Sequence, residues 1–277
     1  MIIRRQRLGI TLLLYLFLAT LAVLAVIPFY ITIINASHSD VSIVRSLNLL
    51  PGNHLMRNYD YIRRSMNIWR GFANSLTVSV PSVVLSLYFG SLTAYGFSKY
   101  RFRFSRPLFF LILMTLMVPM QLGLVGYYLM HSRLGLLDTY IPLILPWIAH
   151  PPTVFFMKMY IDSAIPDELI EAGRIDGSGE FRTFNTLILP LLTPAIATLA
   201  IFNFVSSWNN YIMPLTILFS RSRFTLPLLI AMLRGVYSDN YGAIYLGVAM
   251  SIVPIIAVYA AVSRKIIGGL VVGSVKG

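Results

Sequence analysis

Residues 8–39 read LGITLLLYLFLATLAVLAVIPFYITIINASHS and contain no Asp, Glu, Lys or Arg. A helix needs about 20 apolar residues to cross the hydrocarbon of a bilayer, and this stretch exceeds that length. Apolar and polar residues do not alternate from Leu12 to Ile27, as they would in a membrane β-strand. The stretch therefore predicts a membrane-spanning helix and an all-α membrane protein.

A signal peptide is the alternative interpretation of this stretch, because Arg4, Arg5 and Arg7 precede it. Its apolar part continues past Ile27 to Ile34, whereas the apolar region of a signal peptide has about 7–15 residues. We therefore expect an uncleaved first span.

Further stretches of the chain also lack charged residues and are mostly apolar, at 71–98, 107–132, 139–157, 183–220 and 240–263. Each is about long enough to cross the bilayer as a helix. No internal repeat is visible, so we predict a single transmembrane domain over 1–277. Its six predicted transmembrane helices lie at about 10–35, 71–96, 108–130, 139–159, 188–216 and 242–263.

The composition excludes a soluble enzyme, since 57% of the residues are hydrophobic and only 12% are charged, about half the usual share. The net charge of +12 is explained by membrane topology, without nucleic acid as a partner. Lys99, Arg101, Arg103 and Arg106 lie between two closely spaced spans, and such clusters stay on the cytoplasmic side. Both termini are then predicted to face the cytoplasm.

The predicted spans contain no evident energy source for moving a solute. Ion-coupled carriers bury carboxylates or histidines in the membrane, and only His150 falls within a predicted span. A lone His beside Pro151 and Pro152 more often satisfies a kink than relays protons. The sequence has no phosphate-binding loop and no cysteine. We therefore predict no cofactor or metal on this chain, and any ATP would be bound by a partner.

The predicted cytoplasmic segment 163–187 and the start of the next span read SAIPDELIEAGRIDGSGEFRTFNTLILP. Pro166 suits the first turn of a helix and Gly177 suits its end. This helix would present Leu169, Ile170 and Ala172, with Gly173, to a partner as a surface that includes small residues.

A second short helix, capped by Ser178, would carry Phe181 and Phe184 back to the membrane. Two short helices joined at a glycine indicate a docking element for another protein. The alternative is a loop helix that lies on the membrane surface.

The segment resembles the cytoplasmic signature of permease subunits of bacterial ATP-binding-cassette (ABC) importers. That signature is Glu-Ala-Ala, three residues, Gly, nine residues, Ile, one residue and Leu-Pro. Gly173 replaces the third small residue, and Leu187 replaces Ile. The residues that match at the family spacing are Glu171, Ala172, Gly177, Leu189 and Pro190.

Further motifs narrow the resemblance. The Ile-Asp-Gly at 175–177, the WNNY at 208–211 and the GGLVVGSVKG at 268–277 are similar to carbohydrate-importer permeases of the maltose-transporter type. Transporters of this type have a pair of permease subunits. This chain is more similar to the second, shorter subunit of the pair, and the resemblance covers roughly residues 70–277.

The resemblance implies the six-helix permease fold of type I ABC importers and a noncatalytic subunit in a bacterial cytoplasmic membrane. Its partners would be a second permease, two ATP-binding subunits that hold ATP and Mg, an extracellular solute-binding protein, membrane lipid and a sugar. A coupling helix at about 166–176 would enter a cleft of the ATPase subunit. The residues predicted to dock there are Glu168, Glu171, Ala172, Gly173, Asp176, Gly177 and, in the C-terminal tail, Lys276.

Uncharged polar side chains recur at helical spacing within the fifth predicted span. Amides, hydroxyls and an aromatic ring suit a neutral sugar, which would make this stripe a substrate path. Such stripes also join neighbouring helices, and the sequence leaves both interpretations open. The stripe and the aromatic residue after it are Asn203, Ser206, Ser207, Asn210 and Tyr211.

The predicted function is therefore the permease subunit of an ATP-driven oligosaccharide importer. The loop 217–241, which carries Arg221, Arg223, Tyr237 and Asp239, would reach toward the solute-binding protein or be a solvated connection. Alternatives are an ABC permease for a peptide or phosphate, and an ATP-independent carrier or channel. A membrane enzyme is not supported, because no paired carboxylates or His clusters lie at one membrane face.

Overall fold

The computed structural model describes residues 2–234 and 240–273, with side chains from residue 11 to residue 263 in those ranges. Every regular element there is helical. The α-helices are α1 Ile2–Asn35, α2 Asp40–Arg45, α3 Leu55–Ser65, α4 Ile68–Lys99, α5 Ser105–Thr115, α6 Leu124–Arg133, α7 Ile141–Ile144, α8 Pro151–Ala164, α9 Glu168–Ile175, α10 Glu180–Thr183, α11 Leu189–Leu191, α12 Thr193–Trp208, α13 Ile212–Ile217, α14 Leu226–Ala231 and α15 Tyr241–Gly273. Tighter 3-10 turns occupy Met120–Gly123, Leu145–Ala149 and Arg221–Arg223, and a π-helix occupies Phe184–Ile188.

Three helices are long and apolar enough to cross a membrane: Thr11–Asn35, Ile68–Lys99 and Tyr241–Ser263. They coincide with the first, second and sixth predicted spans. Two bent helix pairs raise the number to five among the described residues, if each pair is one span. The pairs are Ser105–Thr115 with Met120–Arg133, bent by 91°, and Glu180–Leu191 with Thr193–Trp208, bent by 78°.

The fourth predicted span, 139–159, is not one helix. The chain changes from α7 to a 3-10 turn and then to α8, with His150 in an extended conformation at the junction. Pro151 follows His150 directly, and a residue before proline is disfavoured in the helical region. The count of six transmembrane helices therefore stays a prediction.

The chain divides into two compact units, 1–68 with 230–252 and 69–229 with 253–277. In the first unit, the Asn58 amide donates to the carbonyls of Ala36 and His38 at 2.9 and 3.0 Å. Gly242 lies against these groups, where a Cβ atom would be only 2.4 Å from the Asn58 amide nitrogen. The close approach requires glycine at this position, and its N–H donates to Asp40 at 3.0 Å.

The second unit contains the main apolar core, which joins α4, α8, α9, the π-helix and α12. A Cβ atom at Gly90 of α4 would be 2.6 Å from the Thr153 side chain of α8, so the small residue allows close packing of the two helices. The buried members of this core are Leu87, Ala94, Tyr95, Met157, Ile161, Ile165, Ile170, Phe184, Ile188, Leu192 and Leu199.

Candidate coupling segment and transport groove

A helix, α9, lies where the coupling helix is predicted, and it begins at Glu168, two residues after the predicted start. Its exposed side chains follow helical spacing and form the α9 stripe, defined as Glu168, Glu171, Ala172 and Ile175. Ile175, the apolar member of the stripe, is 86% exposed.

The predicted orientation of α9 is wrong in one respect. Ile170 is only 4% exposed, and Leu169 packs against the same core cluster. Both side chains therefore fix α9 to its own subunit, because burial of apolar surface in the core outweighs their exposure to a partner. Of the residues expected on the presented face, Ala172 is exposed.

Gly177 ends α9 in the left-handed conformation, with φ of +72°. Its N–H donates to the Arg174 carbonyl at 3.0 Å, and the N–H of Ser178 donates to the Gly173 carbonyl at 2.9 Å. This pair of bonds is a Schellman motif, for which glycine is the preferred residue. The predicted helix end at Gly177 is confirmed.

The second helix starts differently from the prediction. Helix α10 begins at Glu180 with Gly179 at the N-cap, and Ser178 instead accepts a hydrogen bond from the Thr183 hydroxyl at 3.0 Å. Gly173 is half-buried beside Thr183, where a methyl group would make contacts of 3.4 Å. The side chain that the family has at this position would therefore meet only the edge of Thr183.

The described docking candidates lie together at this surface. Glu168, Glu171, Ala172, Asp176 and Gly177 are exposed, and Gly173 is half-buried. Lys276, Tyr237 and Asp239 lie outside the described residues.

The end of α4 holds both ends of α9, which the sequence did not predict. Lys99 Nζ donates to the Ile165 carbonyl at 2.5 Å and to Asp167 Oδ1 at 2.6 Å. These contacts with the ammonium lower the pKa of the Asp167 carboxyl. The Tyr100 hydroxyl donates to Glu180, which also accepts from Arg174 Nε at 2.9 Å.

The predicted polar stripe is divided between two environments, because α12 ends at Trp208. Pro214 has no N–H for a bond to residue 210, so a continuous helix through both positions is disfavoured. Asn203 and Ser207 are buried, whereas Ser206 and Tyr211 are exposed and Asn210 is half-buried.

Asn203 joins three helices. Its amide nitrogen donates to Ser86 of α4 at 3.1 Å and to Thr153 of α8 at 2.9 Å. The Ser86 and Thr153 hydroxyls are themselves 2.9 Å apart, and His150 Nδ1 is 2.8 Å from Thr153 Oγ1. For Asn203, the structure therefore favours the helix-joining interpretation.

Two open grooves meet at His150 and Ser206 in the second unit. The Trp147 groove has a volume of about 580 Å³ and is lined by Gln121, Trp147, His150, Ser206, Asn209, Asn210 and Tyr211, with apolar residues between them. The Phe156 groove has about 550 Å³ and is lined mainly by apolar side chains, among them Phe156, Tyr160 and Phe202. Its polar lining residues include Asn203 as well as His150 and Ser206.

Ser206, Asn210 and Tyr211 of the predicted stripe line the Trp147 groove. Other polar and aromatic residues that are not predicted from the sequence line it as well. Gln121 and Trp147 come from other predicted spans, and only the fold brings them to Asn209. No Asp, Glu, Lys or Arg is among the described residues that line this groove. An uncharged surface of amides and aromatic rings suits a neutral polar ligand.

Asn203→Ala is expected to lower the free energy of unfolding by about 1–3 kcal/mol, because it leaves buried hydroxyls without their amide donor. Ser206→Ala, one turn along the same helix but exposed, is expected to change it by less than about 0.5 kcal/mol. Thermal unfolding of the detergent-solubilised chain measures both. Equal losses would contradict the joining role of Asn203.

Within the described residues, no group of three or more His, Cys, Asp and Glu side chains is placed to hold a metal ion.

Comparison with known proteins assigns the chain to a family. Residues 72–265 match the model of the binding-protein-dependent transport system inner membrane component family. The arabinooligosaccharides transport system permease protein of Halalkalibacterium halodurans is 36% identical over 263 residues, 94% of each chain. The diacetylchitobiose uptake system permease protein of Streptomyces coelicolor is 30% identical over 257 residues, covering 91% of this chain and 85% of that protein.

Solved structures share the fold. A chain of a bacterial ABC transporter involved in import of the acidic polysaccharide alginate aligns with a TM-score of 0.75 at 24% identity, covering 92% of this chain and 95% of the other. A chain of the MetNI methionine ABC transporter aligns with a TM-score of 0.55 at 16% identity, covering 75% and 95%. The predicted all-α permease fold is confirmed, and the chain belongs to the family of binding-protein-dependent transport system inner membrane components.

Proposed function

We propose that the chain is the noncatalytic permease subunit of an ATP-driven importer of oligosaccharides. Family membership supports a role in binding-protein-dependent transport. Relatives named for arabinooligosaccharides and diacetylchitobiose support a carbohydrate as the substrate. A second permease, two ATP-binding subunits that hold ATP and Mg, and an extracellular solute-binding protein complete the proposed assembly.

The α9 stripe is the observation that carries this proposal. It combines an apolar side chain, Ile175, with the carboxylates of Glu168 and Glu171 on one exposed face of a short helix. The opposite face of α9 is anchored in the core through Ile170. A helix anchored on one side and exposed on the other transmits the movement of a docked ATPase subunit to the membrane helices.

The Trp147 groove supports a neutral sugar as the transported solute. The indole of Trp147 and the ring of Tyr211 provide apolar surfaces for sugar rings, and the amides of Gln121, Asn209 and Asn210 provide donors and acceptors for hydroxyl groups. A phosphate or a charged peptide would need an ionic partner, and the described lining residues include none. The chain itself requires no cofactor in this proposal.

The proposed location is the bacterial cytoplasmic membrane, with α9 and both termini in the cytoplasm. The family is one of inner membrane components. Arg101, Arg103 and Arg106 follow the same end of α4 that contacts α9, so the positive-inside rule and the docking proposal agree on the side.

Copurification tests the proposal. The tagged full-length chain is extracted from its native membrane, and the ATP-binding subunits and ATPase activity recovered with it are measured. Ile175→Glu is expected to lower recovery of the ATP-binding subunits by about 30-fold, as for loss of a central interface residue of about 2 kcal/mol. Val44→Glu, at a side chain 69% exposed in α2, is the control and is expected to have no effect.

Recovery of the unaltered chain alone, folded and without ATPase activity, would contradict the proposal. Uptake of a labelled sugar by liposomes that contain only this chain, without ATP, would instead establish an ATP-independent carrier.

A further inference from the structure

We infer that Lys99 and Tyr100 are positioning residues that attach the two ends of α9 to the end of α4, so that movement of α9 is passed directly to α4. This inference rests on the proposed function and adds the residues through which docking is coupled to the membrane helices. We refer to the contacts as the α4–α9 attachment, defined as Lys99, Tyr100, Asp167, Arg174 and Glu180.

The attachment at the start of α9 is made by a buried ammonium group. The Lys99 side chain is only 6% exposed, and its Nζ donates both to the Ile165 carbonyl and to Asp167. An ammonium ion held away from water needs such partners, because losing them leaves a buried charge unpaired. Lys99 therefore fixes the turn between α8 and α9.

The attachment at the other end of α9 is made through Tyr100. Its hydroxyl donates to Glu180 and lies 3.1 Å from the Tyr95 hydroxyl. Glu180 binds Arg174 in the last turn of α9, and the Arg174 guanidinium lies 5.8 Å from the centroid of the Tyr100 ring. The carboxylate of Glu180, the first residue of α10, thus joins Tyr100, the residue that follows α4, to the last turn of α9.

Attachment at both ends limits how α9 can respond to a docked partner. A helix held at one end can pivot in its loop, whereas α9 is held beside Asp167 and beside Arg174, with Ile170 in the core between them. A displacement of α9 must then displace the end of α4 as well.

Helix α4 leads from this attachment to the two grooves. Ser86 lies thirteen residues before Lys99, about 20 Å along one continuous helix. It contacts Thr153, which contacts His150, and His150 lines both grooves. The attachment therefore connects α9 to the point where the grooves meet.

Lys158 provides a matched control. It also pairs with an aspartate at 2.6 Å, but its partner Asp162 lies one turn away in the same helix. The Lys158 ammonium also lies 5.3 Å from the centroid of the Phe109 ring in α5, so its contact with a second element does not involve α9. Lys99→Met and Lys158→Met remove the same charge and keep the aliphatic side chain.

The test uses the fact that the chain contains no cysteine. Ser206→Cys introduces a single thiol at the junction of the grooves. The complex is purified through the tagged chain and reconstituted, and labelling of this thiol by a maleimide is timed with and without ATP and vanadate. Lys99→Met, Tyr100→Phe and Lys158→Met are compared in this background.

We expect Lys99→Met to reduce the nucleotide-dependent change in labelling rate by about 5-fold or more, with ATPase subunits still bound and ATP still hydrolysed. Tyr100→Phe removes only a hydroxyl and is expected to act in the same direction. Lys158→Met is expected to match the Ser206→Cys reference.

Labelling changes in Lys99→Met and Tyr100→Phe that equal the reference would overturn the inference. If Lys99→Met prevents assembly, Tyr100→Phe alone decides between the two outcomes. Failure of the proposed function is a different result: the Ser206→Cys reference itself would then lack ATPase subunits.

Discussion

Gly177→Ala is expected to weaken the recovery of ATP-binding subunits with the tagged chain by about 5- to 30-fold. An L-residue in the left-handed region costs about 1–2 kcal/mol, and φ at Gly177 is +72°. Apart from its own residue and its two chain neighbours, no heavy atom lies within 4 Å of a Cβ atom built there, so the expected effect is one of backbone conformation rather than of steric overlap. The loss arises because α9 no longer ends in the geometry that exposes its stripe.

Gly179→Ala is the matched control for this prediction. Gly179 also has no heavy atom within 4 Å of an added Cβ, but its φ of −68° and ψ of 154° are accessible to any residue. We expect its effect on recovery to stay within about twofold. Gly177→Asn is expected to fall between the two, because Asn enters the left-handed region more readily than Ala. Equal recovery for Gly177→Ala and Gly179→Ala would show that the helix end is not needed for docking.

Phe184→Ala is expected to lower the free energy of unfolding by about 3–5 kcal/mol. Phe184 has no exposed surface, and its ring packs 5.5 Å from the centroid of Tyr95 and 6.0 Å from that of Tyr88. Removing the ring leaves a cavity at the centre of the core that joins α4, α8, α9 and α12. Thermal unfolding of the detergent-solubilised chain measures the loss.

Phe181→Ala removes the same ring three residues earlier, where the side chain is 65% exposed. Its expected effect on the free energy of unfolding is below about 0.5 kcal/mol. A similar loss for both variants would contradict the assignment of Phe184 to the core. From the sequence, both phenylalanines are predicted to belong to one helix that returns to the membrane, and only packing in the folded protein distinguishes them.

The long helices could be predicted from the sequence because a charge-free apolar run has one stable arrangement in a bilayer. Helices α1, α4 and α15 follow such runs closely. Prediction of spans from apolar runs fails where prolines divide the run, because hydropathy does not depend on whether the helix backbone is continuous. In 139–159 the chain forms three short elements, and after Trp208 the fifth predicted span is interrupted.

The helix in the predicted coupling segment and its end at Gly177 could be predicted because the signals for them are local in the sequence. The spacing from Glu171 to Gly177 lies within one short helix, and glycine at the helix end has a direct backbone reason. The attachment through Lys99 could not be predicted, because its partner Asp167 is 68 residues away in the chain. A charge at the end of a predicted span was explained by topology alone, and only the fold reveals its second role.

The stripe in α12 illustrates the limit of periodicity as evidence. Asn203 and Ser206 are three residues apart, both are polar and both line the Phe156 groove. Asn203 is nevertheless buried among helices, whereas Ser206 is exposed and lines the Trp147 groove as well. The direction of each side chain depends on the bend of 78° before α12 and on the neighbouring helices. Neither the bend nor the neighbouring helices can be predicted from residue type and spacing.

The meeting of the two grooves at His150 and Ser206 has a consequence for how related permeases diverge. Gln121 and Asn209 line the Trp147 groove but not the Phe156 groove. Substitutions at these two positions can therefore change the first groove while Phe156 and Phe202 in the second stay unchanged. His150 and Ser206 are pleiotropic positions, because any substitution there changes the lining of both grooves at once. During adaptation to a new substrate, we therefore expect residues that line only one groove to be substituted first and the two shared residues to be substituted last.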